Sequence, residues 1–111
     1  METRFVYTTV GDINEAKKIG RILLEKRLAA CVNLLEAMES MYWWEGTIEQ
    51  SREVVLIAKT TQRLVSALIS AVKENHSYEC PCIVSLPIET GNPAFLKWIA
   101  DETDNSEALK E

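Results

Sequence analysis

Val54-Val55-Leu56-Ile57-Ala58-Lys59-Thr60-Thr61 is the stretch on which the architecture turns. Its apolar run is the strongest part of a strand expected from Ile48 to Lys59. Thr60 or Thr61 then caps a helix. The helix announces itself by Leu64, Ala67, Leu68, Ala71 and Val72, an i, i+3, i+4, i+7, i+8 stripe that ends near Asn75. The same change from strand to helix occurs 52 residues earlier, where Tyr7-Thr8-Thr9 precedes another helical pattern.

Working outward, Arg4 to Val10 reads as a first strand, broken by Gly11-Asp12. Asp12 and Glu15 form a candidate capping box. The helix behind it runs to about Arg27, with Ala16, Ile19, Gly20 and Leu23 inward and Glu15, Lys17, Lys18 and Glu25 facing water. A second strand begins at Ala30-Cys31-Val32 and continues, with interruptions, through Met41-Tyr42-Trp43-Trp44. Glu45-Gly46 is a turn signal. A fourth strand is expected from Cys80 to Pro87. Asn92 and Pro93 start a third helix carrying Phe95, Leu96, Trp98 and Ile99. Two β-α-β units and an added C-terminal helix make an α+β, ferredoxin-like sandwich: an antiparallel sheet with two helices on one face. Residues 1–103 are expected to form a single domain and 104–111 a polar tail.

The hairpin around Glu45-Gly46 is long for such a domain. Arms of about 14 residues span roughly 45 Å, whereas a domain of this size measures about 34 Å across. The tip carries Tyr42, Trp43 and Trp44, and adjacent strand residues point to opposite faces. An aromatic tip that is apolar on both sides and overhangs its own core is expected to be covered by another subunit.

The chain has 111 residues and a net charge of −5, with 47% hydrophobic and 26% charged residues. That balance suits a globular chain. It argues against nucleic acid and anionic membranes, which want basic surfaces. No window resembles a membrane span, and Met1-Glu2-Thr3-Arg4 does not read as a leader. Three cysteines, two of them too close for an ordinary bridge, point to reduced thiols and a cytoplasmic setting.

Chemistry concentrates in Asn75-His76-Ser77-Tyr78-Glu79-Cys80-Pro81-Cys82. It contains the only histidine and two of the three cysteines. His76 is a borderline metal ligand and Glu79 an oxygen donor. Cys80 and Cys82, at i and i+2 of a regular strand, put both thiols on one side, suited to Cu(I) or Zn(II). Two thiols do not fill a tetrahedral site, so His76 or a neighbouring subunit is needed. Cys31 reads as core. Lys59, ahead of the Thr60-Thr61 cap, is placed for an anion site at free helix N–H groups. No nucleophile motif accompanies the histidine, and no glycine-rich phosphate loop is present.

Several segments together resemble the CutA family of divalent-cation tolerance proteins: Glu25 to Asn33, Tyr42 to Gly46, Lys59-Thr60-Thr61, His76 to Pro81, and Gly91-Asn92 with Leu96 and Trp98-Ile99. They come in the family order and cover nearly the whole chain. The resemblance implies a ferredoxin-like fold and a homotrimer built by the long hairpins. It further implies non-enzymatic binding of divalent metal, copper foremost, and a response to metal ions. A likeness to PII-type signalling trimers implies the alternative: a small anionic ligand in intersubunit clefts lined by Lys59, His76, Tyr78 and Glu79. The chain departs from the family pattern in having Ser77 for proline. It also has Thr8 where copper-binding bacterial members have cysteine, and Asn75 where they often have a second histidine. Cys82 stands where many relatives have an acidic residue, and Cys80 where many have a small aliphatic one.

Overall fold

The structure, a computed structural model, describes residues 2–103; the expected tail at 104–111 lies outside them. The chain runs β1 (Thr3–Val10), α1 (Ile13–Glu25), β2 (Cys31–Trp44), β3 (Thr47–Thr61), α2 (Val65–Asn75), β4 (Ile83–Pro87) and α3 (Pro93–Thr103). The strands form one antiparallel sheet in the order β2-β3-β1-β4. This is the α+β sandwich that the two β-α-β units imply.

Strand alternation builds the core on one side of the sheet. Val6 and Val10 of β1 and Val54, Leu56 and Ala58 of β3 pack with Ile19 and Leu23 of α1 and Leu68 and Val72 of α2. Gly20 brings α1 close to the sheet, since a Cβ there would stand 3.0 Å from Val32. The other side carries Tyr7, Thr9, Glu53, Val55, Ile57 and Lys59. At one end of it the Phe95 ring of α3 lies 5.8 Å from Lys59 Nζ.

Local chemistry sets the helix starts, with one exception. Asp12 Oδ1 accepts from Glu15 N at 2.9 Å and Asn92 Oδ1 from Ala94 N at 3.1 Å, as expected of N-caps. Thr60 and Thr61 do not cap. Both remain in β3, paired with Arg4 and Thr3, and their hydroxyls are buried without a hydrogen-bond partner. A 3-10 turn at Gln62–Leu64 intervenes, and α2 starts at Val65. Ladder pairing along the whole of β1 outweighs the local capping preference.

Three further expectations change. The interruption in β2 is a single bulge: two residues, Glu36 and Ala37, stand opposite one on β3, with Ala37 at φ 63°. The fourth strand begins at Ile83, so Cys80 and Cys82 lie in the preceding loop, and the same-side argument for their thiols falls away. Cys31 is half-buried rather than core. Its Sγ lies 3.8 Å from Lys59 Nζ.

The hairpin closes at Glu45 and Gly46, both at positive φ, as a two-residue turn of matching twist requires. The molecule extends 43 Å along its longest axis, beyond the 34 Å or so of a compact domain this size. Trp43 and Ile48 face each other across the ladder near the tip, 73% and 65% exposed.

Candidate functional site

The loop from His76 to Cys82 crosses from the end of α2 towards β4, and His76 pins its start. The imidazole side chain is fully buried. Nε2 lies 2.8 Å from the Thr9 carbonyl, and the Tyr78 backbone N–H donates to Nδ1 at 3.0 Å. A carbonyl only accepts and an amide N–H only donates, so the proton sits on Nε2 and the Nδ1 lone pair is used. No lone pair is left for a metal, and the expectation that His76 is a ligand is not met by this geometry.

Glu15 completes the clamp. Its Oε2 accepts from Ser77 N at 3.0 Å and Ser77 Oγ at 3.1 Å, and stands 3.7 Å from His76 Nδ1. Its helical position had implied a fully solvated charge, whereas the side chain is mostly buried, 18% exposed. Ser77 supplies both donors, and a proline there would offer neither.

Tyr78 turns the chain across the sheet. Its ring is 4.7 Å from the His76 ring, tilted at 57°. The ring and hydroxyl pack over Gly11, where a Cβ would stand in ordinary contact at 3.5 Å. The phenol donates to Glu53 Oε2 at 2.7 Å. Burial and this carboxylate push its pKa well above the ordinary tyrosine range. Glu53 itself is only 7% exposed.

Beyond Tyr78 the loop borders a cleft of about 690 Å³. Glu79, Cys80 and Cys82 line it from the loop, Glu53 and Tyr7 from the sheet, and Tyr42 and Trp44 from the hairpin. All three cysteines are free, and Cys80 and Cys82 are exposed. Burial, then Glu53, pushes the Cys82 thiol up. His76 borders a separate cleft of about 550 Å³ with Asp12, Glu15 and Glu74.

The expected site residues therefore divide. Glu79, Cys80 and Cys82 are brought to one cleft with Tyr78, and His76 anchors their loop from behind. Among the described residues no group of three or more His, Cys, Asp or Glu side chains is gathered to hold a metal ion. Lys59 is elsewhere. It lies six residues from Glu53 along β3, about 20 Å away, and its Nζ is held at 2.7 Å by Asn33 Oδ1. With α2 starting at Val65, the helix-start anion site expected beside Lys59 is not built, and within one chain Lys59 does not join Tyr78.

Sequence reasoning passed over Glu15, Glu53 and Met38. A charge on a helix surface and a charge in a strand both read as solvated, and a strand methionine reads as packing. Only tertiary pairing reveals the three.

Known proteins resemble this chain over nearly its whole length. A family model described as CutA1 divalent ion tolerance protein matches residues 4–102. Divalent-cation tolerance protein CutA of Archaeoglobus fulgidus is 46% identical over 99 residues, covering 89% of this chain and 95% of that protein. Protein CutA 1, chloroplastic, of Oryza sativa subsp. japonica is 41% identical over 101 residues, 91% of this chain but only 57% of the rice protein. A solved structure of the periplasmic divalent cation tolerance protein CutA from Archaeoglobus fulgidus superposes with a TM-score of 0.89 at 42% identity, covering 92% of this chain and 99% of the other.

These relatives overturn the cytoplasmic setting, since one is named chloroplastic and another periplasmic. The free thiols have a geometric cause that says nothing of compartment. Cys80 and Cys82 are separated by one residue, and Cys31 pairs with Lys59 at the far end of the sheet. No helix among the described residues is long and apolar enough to cross a membrane.

Proposed function

Because the chain belongs to the CutA1 divalent ion tolerance protein family, we propose that it serves divalent-cation tolerance as a non-enzymatic homotrimer that binds copper. The observation that carries the metal reading is the pair of exposed free thiols, Cys80 and Cys82, on an acidic cleft that also holds Glu79. Thiolates favour copper over harder ions. Copper bound in the cleft would be held by the Cys80 and Cys82 thiolates, and it would supply sequestration rather than turnover. His76 has the role of a brace that keeps the loop folded. Both ring nitrogens are engaged by backbone groups, which supports a bracing rather than a catalytic role.

The hairpin supports the trimer. Met41, Trp43 and Ile48 are exposed beyond the chain's own core, a patch that isolated chains rarely leave uncovered.

Anaerobic calorimetric titration of the reduced protein with Cu(I), Cu(II) and Zn(II) tests the reading. Saturable copper binding, lost in the Cys80→Ala/Cys82→Ala double variant, is the expected result. Binding that survives the double variant would place the metal elsewhere. Sedimentation equilibrium decides the trimer directly.

A further inference from the structure

Three side chains converge at the end of the sheet remote from the cleft. Cys31 and Asn33 stand two apart in β2 and so share a face. Lys59 is the register partner of Cys31 on β3, which brings the lysine to that same face. Asn33 Oδ1 accepts from Lys59 Nζ at 2.7 Å and from the Cys31 thiol at 3.5 Å. Lys59 Nζ also donates to Cys31 Sγ at 3.8 Å. One amide oxygen therefore holds an amine and a thiol against each other, and neither depends on a mobile loop for its place. Cys31 is half-buried, within reach of a small solute. The other sulfurs lack such a neighbour. Met38 Sδ accepts from Tyr7 Oη at 3.4 Å, and no Lys, Arg or His lines the cleft that Met38, Cys80 and Cys82 border.

We propose that Cys31 is an oxidative modification site for hydrogen peroxide, and that Lys59 traps the oxidised sulfur in a cross-strand S–N bond. The proposal is independent of the copper reading. In the first step the Cys31 sulfur attacks one peroxide oxygen. An S–O bond forms, the O–O bond breaks, and the thiol is oxidised by two electrons to a sulfenic acid. The peroxide is reduced, and its second oxygen leaves as water with the thiol proton. A sulfenic acid condenses with a nearby nitrogen to a sulfenamide, and the nitrogen in contact here is Lys59 Nζ. Lys59 gives one proton to solvent, and its lone pair then attacks the sulfur. The S–N bond forms as the S–O bond breaks, and the hydroxyl takes a second amine proton and leaves as water. The joined pair is two hydrogens lighter than the reduced pair. Two equivalents of an added thiol reverse it by supplying the two electrons. Asn33 is a positioning residue, since its oxygen holds both reacting groups.

The test uses the full chain, metal-free and reduced, treated with hydrogen peroxide and read by peptide mass spectrometry after proteolysis. The Cys80→Ser/Cys82→Ser chain is run beside it, so that oxidation of the loop thiols does not obscure the result. Both are expected to yield a peptide pair joined through Cys31 and Lys59, lighter by two hydrogens and separated again by dithiothreitol. Lys59→Arg keeps the positive charge and a donor for Asn33 but removes the amine, and circular dichroism checks its fold. In that variant the joined pair is expected to be lost, and Cys31 is expected to accumulate as sulfenic acid captured by dimedone. Cys31→Ser should give no joined pair. The proposal is overturned if Cys31 of the wild-type chain stays reduced at peroxide levels that consume free glutathione. It is also overturned if Cys31 is oxidised without any joined pair, with dimedone labelling equal in wild type and Lys59→Arg. A joined pair that retains an oxygen would mean an S–O–N bridge and would overturn the S–N bond.

Discussion

His76 looks like a ligand in the sequence and like a brace in the structure, and the difference is one of partners. Its hydrogen-bond partners are the Thr9 carbonyl, far away in the chain, and the Tyr78 amide. The window around His76 stands out in the sequence for its chemistry, but the state of each lone pair was not legible, because it depends on the packing of β1 against the end of α2. His76→Leu removes the partner of the part-buried Thr9 carbonyl and of the Tyr78 amide and is expected to lower stability by about 1–3 kcal/mol in urea unfolding. Tyr78→Phe removes the donor to the buried Glu53 carboxylate and should cost about 1–3 kcal/mol at neutral pH. It also changes the alkaline limb. Since the folded chain raises the phenol's pKa, it binds that proton more tightly than the unfolded chain does. The contribution is complete below the unfolded value of about 10 and is lost as pH rises from there towards the folded value. Metal-free wild type should therefore lose stability above about pH 10 with a steeper slope than Tyr78→Phe, read from urea midpoints at a series of pH values.

Among the elements, the bulge in β2 does the most to place the cleft. It lets Leu35 and Met38 share a face, although their spacing of three would put them on opposite faces of a regular strand. Without it Met38 would turn away from Tyr7 and Glu53. This is why the apolar stripes of α1 and α2 were readable from periodicity while the far half of β2 was not: a bulge resets the phase of the alternation. Ala37 sits in the left-handed region, where β-branched side chains fit worst. Ala37→Val is expected to destabilise the chain by about 1–2 kcal/mol, and, if the register slips, to weaken the proposed copper binding as well. Parallel titration and unfolding of that variant separate the two effects. The misread cap at Thr60-Thr61 has a related cause, since the pairing of β3 with β1 up to Thr61 is a long-range fact that local composition does not carry.

For the whole molecule, the 43 Å extent set against a modest core means that the hairpin tip finds little of its own chain to pack on. The length argument that foresaw this used only residue counts. Trp43 is 73% exposed in the single chain, so Trp43→Ser should leave the subunit fold intact while weakening the proposed trimer, seen as a shift to smaller species when sedimentation velocity is run on dilution. The bulge at Glu36 and Ala37 then acquires a meaning beyond side-chain direction. In the proposed trimer it marks the border between a ribbon base held by its own subunit and a tip that rests on its neighbours. In deuterium-exchange mass spectrometry, amides of 38–50 should exchange faster as the protein is diluted. Those of 54–59, sheltered by β1 and the core, should keep one rate at every concentration.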